Sequence, residues 1–157
     1  MPRIIEGDFS AKGKRFAIVA ARFNSIFADQ LVAGAIDTLT RHGAADDDLV
    51  ILRCPGSFEL PQAAAKAAAH LDVDAVICLG VLIRGSTPHF DYIAAEAAKG
   101  IGAVARDSSL PVAFGVITCD TLEQAVERSG SKAGNKGAEA ALAALEMANL
   151  YAALGNS

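Results

Sequence analysis

The stretch Ala75–Asp91 reads AVICLGVLIRGSTPHFD and joins an apolar run to a loop of polar and turn-forming residues. The apolar run, Ala75–Val81, is continuous rather than alternating, which is typical of a strand buried on both faces of a sheet. The loop that follows, Leu82–His89, contains glycine, two hydroxyl side chains, proline and histidine. Such residues at the end of a buried strand predict a small-molecule site in an α/β enzyme.

Three further runs rich in Val, Ile and Leu have the same character: Arg15–Ala21, Leu49–Arg53 and Val112–Thr118. Helical patterns lie between and after these runs. They comprise a stripe from Ala28 to Leu39 that Gly43 stops, then Pro61–His70, Tyr92–Ala105, Thr121–Arg128 with Thr121 as N-cap, and about Asn135 to Leu154. This alternation predicts right-handed crossovers and an α/β fold. We expect a three-layer α/β/α sandwich, flavodoxin-like, with a mainly four-stranded parallel sheet.

The N-terminal residues stand apart from this pattern. Ile4–Gly7 is a candidate for a short fifth strand, but Asp8–Lys14 separates it from the first strand of the sheet. We therefore expect this strand to join the sheet of a neighbouring subunit, which would also cover an exposed edge. The length of 157 residues fits one domain that spans residues 1–157.

Composition and charge exclude several classes of function. The formal net charge is −4 and there is no basic run, which argues against nucleic-acid binding. No apolar stretch reaches the roughly 20 residues of a membrane span, and the N-terminus lacks a signal peptide's apolar segment. The three cysteines have no metal-ligand spacing. We expect a cytoplasmic protein without a bound metal.

The ends of the first two predicted strands carry residues suited to a ligand. Phe23 could stack on a planar heterocycle or simply pack locally. In the segment Cys54–Glu59, Pro-Gly favours a tight turn, and Ser57 is expected to cap the following helix. Backbone N–H groups at that helix start could hold a polar ligand, while Glu59 could serve only as a partner for the helix dipole.

The remaining polar residues indicate proton transfer and anion binding. His89 can transfer protons near neutral pH, and Arg84 adds positive charge to its loop. Arg128 and the segment Gly130–Gly137 (GSKAGNKG) form a second polar cluster. Neither a Walker loop nor a G-x-G-x-x-G motif is present. The residues alone therefore predict a small-molecule enzyme whose phosphate or carboxylate ligand is bound by Arg128 or Arg84.

The chain resembles the 6,7-dimethyl-8-ribityllumazine synthase family in motifs that cover most of its length. The matching stretches are ARFN (21–24), PGSFELP (55–61), GVLIRGSTPHFDYIAAEAAKGI (80–101), PVAFGVIT (111–118), DTLEQAVERSGSKAGNKGAEAA (120–141) and ALEMANL (144–150). The resemblance implies condensation of 5-amino-6-(D-ribitylamino)uracil with 3,4-dihydroxy-2-butanone 4-phosphate. The products would be the lumazine, phosphate and water, in the penultimate step of riboflavin biosynthesis. No metal or organic cofactor is implied.

The resemblance also implies roles for individual residues, with His89 as the proton carrier. Phe23 would stack on the pyrimidine ring, and backbone groups of Val81, Leu82 and Ile83 would hold its edge. The ribityl chain would contact Ser57, Phe58 and Glu59. Ser86 and Thr87 would contact the phosphate-bearing substrate, and Arg128 would bind its phosphate, with Lys136 nearby. Phe114 would reach the same pocket from the adjacent subunit, whereas Arg128 would come from the chain that carries His89.

The family resemblance implies a homopentamer at minimum, with sites between neighbouring subunits. The compact GSKAGN linker (130–135) resembles members that form a 60-subunit icosahedral shell, which could enclose riboflavin synthase. Three alternatives share the fold: a non-catalytic flavin- or lumazine-binding protein, a structural shell protein, and the related archaeal riboflavin synthase. Only catalysis with a phosphate substrate would need both His89 and Arg128, so these residues favour the enzyme.

Overall fold

The computed structural model describes the backbone of residues 1–131 and 134–155. Four parallel strands form its main sheet: β1 (Phe16–Ala21), β2 (Leu49–Cys54), β3 (Ala75–Ile83) and β4 (Val112–Cys119). Their order across the sheet is β2-β1-β3-β4. The chain therefore leaves β1 on one side and returns to β3 on the other. In such a sheet, a crevice opens at the carboxyl ends of the strands where the order reverses.

Five α-helices connect and flank the strands: α1 (Ser25–Arg41), α2 (Leu60–His70), α3 (His89–Asp107), α4 (Leu122–Arg128) and α5 (Lys136–Ala153). Alternate residues of β1 face two separate cores. Ile18 packs in the core with residues of α1 and α5, whereas Val19 packs in the core with residues of α2 and α3. The predicted three-layer sandwich with a four-stranded parallel sheet is confirmed.

Two elements begin or end beyond their predicted limits. β3 continues past Val81 to Ile83, because Leu82 and Ile83 pair with Thr118 and Cys119 of β4. Helix α3 begins at His89, three residues before the predicted start. A short hairpin of β5 (Ser129–Ser131) and β6 (Gly134–Asn135) was not predicted. Residues 132 and 133, between the two strands of the hairpin, lie outside the described residues. They belong to the 130–135 linker on which the prediction of a shell is based.

The N-terminal residues lie against helix α5 and form no strand in the described chain. A side chain at Gly7 would collide with the backbone of Glu146 and Leu150. The amide of Asn149 donates hydrogen bonds to the carbonyls of Asp8 and Ser10, at 2.8 and 3.0 Å. The strand expected at Ile4–Gly7 therefore has no partner within its own described chain, and its pairing with a neighbouring subunit stays a prediction.

Close packing fixes α5 against α1. A Cβ atom on Gly137 would collide with the backbone carbonyl of Leu31, so only glycine allows this approach. Asn135 reinforces the junction: its Oδ1 accepts a hydrogen bond from the Ala138 N–H, and its Nδ2 donates to the carbonyl of Gln30. Among the described residues, no helix is long and apolar enough to cross a membrane.

Candidate active site

A pocket of about 510 Å³ opens at the carboxyl ends of β1, β2 and β3. We call it the strand-end pocket. Its lining residues are Phe23, Asn24, Pro55, Gly56, Ser57, Phe58, Glu59, Leu82, Ile83, Gly85, Thr87, His89, Phe90 and Ile93. The pocket thus lies at the place where the strand order predicts a ligand, and it brings together residues far apart in sequence.

Phe23 is held at the mouth of the pocket by its backbone neighbours. Its N–H donates to the carbonyl of Pro55 at 3.1 Å, and its side chain is 69% exposed. Asn24 follows in the left-handed conformation with φ of 61°, and its Nδ2 donates to the carbonyl of Val81 at 2.9 Å. A large exposed aromatic on such a fixed backbone offers a stacking face to a planar ligand.

The turn after β2 presents Phe58 to the pocket but does not use Ser57 as expected. The predicted Ser57 cap is wrong, because residues 57–59 form a 3₁₀ turn before α2 and no side chain caps either start. Ser57 is instead buried. A Cβ atom on Gly80 would lie 2.7 Å from its Oγ, so Ser57 packs against the middle of β3. Phe58 is 56% exposed, and Glu59 lines the pocket beside it.

His89 is the first residue of α3 and lines the strand-end pocket together with Thr87. Its backbone N–H donates to Thr87 Oγ at 3.4 Å. Ser86 and Val81 are not among the lining residues. Ser86 is exposed beside the pocket, whereas Val81 is buried and its carbonyl already accepts the amide of Asn24.

A second concave surface, of about 630 Å³, lies between the edge strand β4 and helix α5. We call it the edge groove. It is lined by Pro111, Val112, Ala113, Phe114, Gly115, Val116, Ile117, Thr118, Arg128, Lys136, Glu139, Ala140, Ala143, Ala144 and Met147. Arg128 donates to the carbonyl of Thr118 at 3.2 Å, and Lys136 forms a 3.3 Å ion pair with Glu139. Phe114 is half-exposed.

The predicted site residues therefore fall into two groups. Phe23, His89 and most of the others line the strand-end pocket, whereas Phe114, Arg128 and Lys136 line the edge groove. The expectation that Arg128 completes the pocket of His89 within one chain is not met. The reason is that Arg128 is the last residue of α4 and donates a hydrogen bond to the carbonyl of Thr118 in the edge strand β4, on the surface that also carries Phe114.

Six lining residues carry none of the contacts that the resemblance implies: Asn24, Pro55, Gly56, Gly85, Phe90 and Ile93. Asn24 carried a usable signal, since asparagine before a helix tolerates the left-handed conformation. Phe90 and Ile93 lie three residues apart near the start of α3, so they share one helix face. Because the predicted helix began only at Tyr92, this face was not recognised.

The thiols near the site are unsuited to nucleophilic or metal chemistry. Burial, followed by the charge of Glu59, raises the pKa of Cys54, and burial raises the pKa of Cys78 to about 12. All three cysteines are buried and free. Across residues 1–131 and 134–155, no group of three or more His, Cys, Asp or Glu side chains could hold a metal ion.

Comparison with known proteins gives one consistent result. The family model described as 6,7-dimethyl-8-ribityllumazine synthase matches residues 13–152. A protein of that name from Chlorobium phaeobacteroides is 63% identical over 94% of this chain and 95% of its own length. Those from Aquifex aeolicus and Desulfotalea psychrophila are 57% and 56% identical, over 97% and 98% of this chain respectively, and each match covers 99% of the relative.

Proposed function

The chain belongs to the 6,7-dimethyl-8-ribityllumazine synthase family, and on this premise we propose that the strand-end pocket is where its substrates are joined. It is an enzyme of riboflavin biosynthesis, a transferase that condenses 5-amino-6-(D-ribitylamino)uracil with 3,4-dihydroxy-2-butanone 4-phosphate. The reaction forms a carbon–nitrogen bond between amine and ketone, eliminates phosphate and water, and closes the ring. Each step moves a proton, so an imidazole in the pocket is useful throughout.

One observation carries the assignment of the pocket: Phe23 and Phe58 line the same cavity as His89. In the proposal Phe23 stacks on the pyrimidine, while Ser57, Phe58 and Glu59 face the ribityl chain. Backbone groups of Leu82 and Ile83 hold the pyrimidine edge, but Val81 does not, because it is buried outside the pocket lining and its carbonyl already accepts the Asn24 amide. Thr87 and Ser86 contact the phosphate-bearing substrate and His89 carries protons. A large part of the rate comes from holding two substrates in contact.

The strand-end pocket lacks a cation for the phosphate, since no Lys or Arg is among its described lining residues. A phosphate ester is bound best by a fixed guanidinium that donates two hydrogen bonds. Arg128 is such a group, but it lines the edge groove together with Lys136 and Phe114. In the proposal the edge groove of one chain covers the strand-end pocket of the next, and all three residues act in their neighbour's site.

A head-to-tail contact between the groove of each chain and the pocket of the next can close into a ring, and the ring that we propose is a homopentamer. A 60-subunit icosahedral shell built from pentamers, with riboflavin synthase as an enclosed partner, is the larger form of the same proposal. Residues 1–157 act as a single domain in each subunit. A cytoplasmic location is supported by the three free, buried cysteines, which fit a reducing compartment.

The proposal is tested by mixing the purified protein with both substrates and following lumazine absorbance and phosphate release together. The expected result is equal amounts of both products, formed much faster than in the spontaneous reaction. No acceleration over that reaction would contradict the enzyme. The Phe23→Ala variant is the matched control for the pocket, and it should weaken use of the uracil substrate more than use of the phosphate substrate.

A non-catalytic lumazine- or flavin-binding protein on the same fold is the less favoured alternative. It would need the aromatic faces of the strand-end pocket but not Arg128 or His89. Sedimentation velocity separates the assembly states: a particle of 60 subunits supports the shell, and a species of five subunits alone rejects it while leaving the pentamer intact.

A further inference from the structure

Arg84 lies directly after β3, at the start of the loop that leads to His89. Its backbone N–H donates to the carbonyl of Cys119 at 2.9 Å, which extends the β3–β4 pairing by one residue. The next residue of the loop, Gly85, lines the pocket, but Arg84 is not among the lining residues. Its side chain is therefore available to hold structure around the pocket rather than to form its wall.

The guanidinium of Arg84 contacts three side chains from two different elements. Its Nε donates to Asp120 at 2.9 Å, and its Nη1 donates to Asp91 at 3.0 Å. Its central carbon lies 4.5 Å from the centre of the Phe90 ring, a distance suited to a cation–π contact. Asp91 and Phe90 belong to the first turn of α3, whereas Asp120 precedes α4.

The side chains that contact Arg84 are close in the chain to residues of the proposed reaction. Asp91 and Phe90 follow His89 directly, and Phe90 itself lines the strand-end pocket. Asp120 is tied to the start of α4, because its backbone N–H donates to Gln124 Oε1 at 2.8 Å. Helix α4 ends at Arg128. One side chain thus joins the segment that carries His89 to the helix that carries Arg128.

We propose that Arg84 is a positioning residue that fixes the start of α3 and the start of α4 relative to each other. This inference rests on the proposed function of the strand-end pocket. The arginine fork reaches two carboxylates and stacks on a ring at once, whereas a lysine ammonium acts as one point charge. All three charged side chains are substantially exposed. Their ion pairs therefore add little to global stability, and the expected effect of losing them is on geometry.

The test compares Arg84→Gln and Arg84→Lys with a matched control, Arg41→Gln. Arg41 is an exposed arginine paired with Asp37 within α1, at 2.9 Å. Both Arg84 variants should lower kcat about tenfold, with KM for the phosphate substrate changed less than about threefold and an unaltered melting temperature. Arg41→Gln should change neither. A raised KM with unchanged kcat would mean that Arg84 binds phosphate directly, and would overturn the inference, as would full activity.

A variant of Asp120 tests the contact between Arg84 and Asp120 in a second, independent way. If Arg84 acts through Asp120, the double variant Arg84→Gln/Asp120→Asn should lose no more activity than Arg84→Gln alone. Losses that multiply would show that the two residues act separately, against the proposal.

Hydrogen–deuterium exchange decides the inference without any assay of activity. In Arg84→Gln, amides of residues 85–92 and of residues 120–125 should both exchange several-fold faster than in Arg41→Gln. Faster exchange in one segment only, or in neither, would overturn the positioning role. If the unaltered protein failed to accelerate the condensation, the proposed function would fall, while this exchange result would still decide whether Arg84 joins the two helix starts.

Discussion

The strand-end pocket and the edge groove differ in what each offers to a substrate. The pocket has aromatic faces, exposed backbone and an imidazole, whereas the described lining of the groove has two cations and one aromatic side chain. The pocket can hold a planar heterocycle but has no Lys or Arg for a phosphate among its described lining residues. The groove can bind an anion but has no imidazole among its described lining residues. In the proposal, the pocket therefore supplies the aromatic faces and the imidazole that the family's reaction requires, and the groove supplies the cations.

This difference teaches that the fold alone does not make the site. A crevice at the carboxyl ends of parallel strands is dictated by the strand order. The groove instead depends on an edge strand, β4, which pairs with β3 on one side and has no neighbour on its outer side in the described chain. An exposed strand edge of this kind is a surface on which another chain can pair or pack. The following predictions test the two surfaces against each other.

The largest effect is expected from the cation of the groove. Arg128→Ala should lower kcat/KM for the phosphate substrate about 100-fold or more, or about 2.7 kcal/mol of transition-state stabilisation. The uracil substrate should still bind, because the proposal places it in the pocket rather than in the groove. Steady-state kinetics with each substrate varied in turn measures this. A loss shared equally by both substrates would break the proposed division of labour.

A smaller effect, on stability, separates the structures that support the two surfaces. Gly137→Ala should cost about 2 kcal/mol of unfolding free energy, because its Cβ would collide with the Leu31 carbonyl and move α5, a wall of the groove. Denaturant unfolding measures it. Gly80→Ala is the matched variant beneath the pocket. There the new Cβ would collide with Ser57 Oγ, which belongs to a side chain that can move. Adding Ser57→Ala to Gly80→Ala should restore part of the lost unfolding free energy. Failure of that rescue would contradict the packing of Ser57 against Gly80.

His89→Ala should reduce kcat about tenfold, less than general acid–base catalysis usually contributes. The reason is that an amine and a ketone condense in water without an enzyme, so proton transfer is only part of the barrier. Presteady-state measurement of lumazine formation gives this rate. A loss as large as that of Arg128→Ala would count against the ranking of the two surfaces.

The smallest effect concerns the support of Phe23. Asn24→Ala should cost about 1 kcal/mol of stability, because alanine is strained in the left-handed conformation and loses the hydrogen bond to Val81. Asn24→Gly loses the same bond without the strain, so thermal unfolding should find it more stable than the alanine variant. The reverse order would show that the backbone strain is not what Asn24 relieves.

The sequence predicted the strands well because each is a compact apolar run, such as Val112–Thr118, found at Val112–Cys119. It predicted the lining of the pocket through Phe23, Phe58 and His89, which lie within a few residues of the ends of β1, β2 and β3. It did not predict where β3 ends, because the pairing of Ile83 with Cys119 is a contact between distant segments. Local hydrophobicity carries no such information.

The location of Arg128 was missed for a related reason. Its distance along the chain from His89 says nothing about which surface it lies on. That surface is set by the bond of Arg128 to Thr118 and by the close packing of α5 at Gly137. The Ser57 cap failed because the segment forms a 3₁₀ turn, in which Ser57 packs beneath Gly80 instead. In each case a tertiary contact decided against a local preference.

The claim that two chains build one site is tested most directly by complementation. His89→Ala damages the pocket and Arg128→Ala damages the groove, so each variant alone should be impaired at every site. When the two are co-expressed in equal amounts, random mixing should leave about a quarter of the sites with both surfaces intact. The account predicts that activity rises to that fraction of the unaltered enzyme's. If the mixed assemblies are no more active than the average of the two variants, the pocket and groove belong to the same chain's site and the account is contradicted.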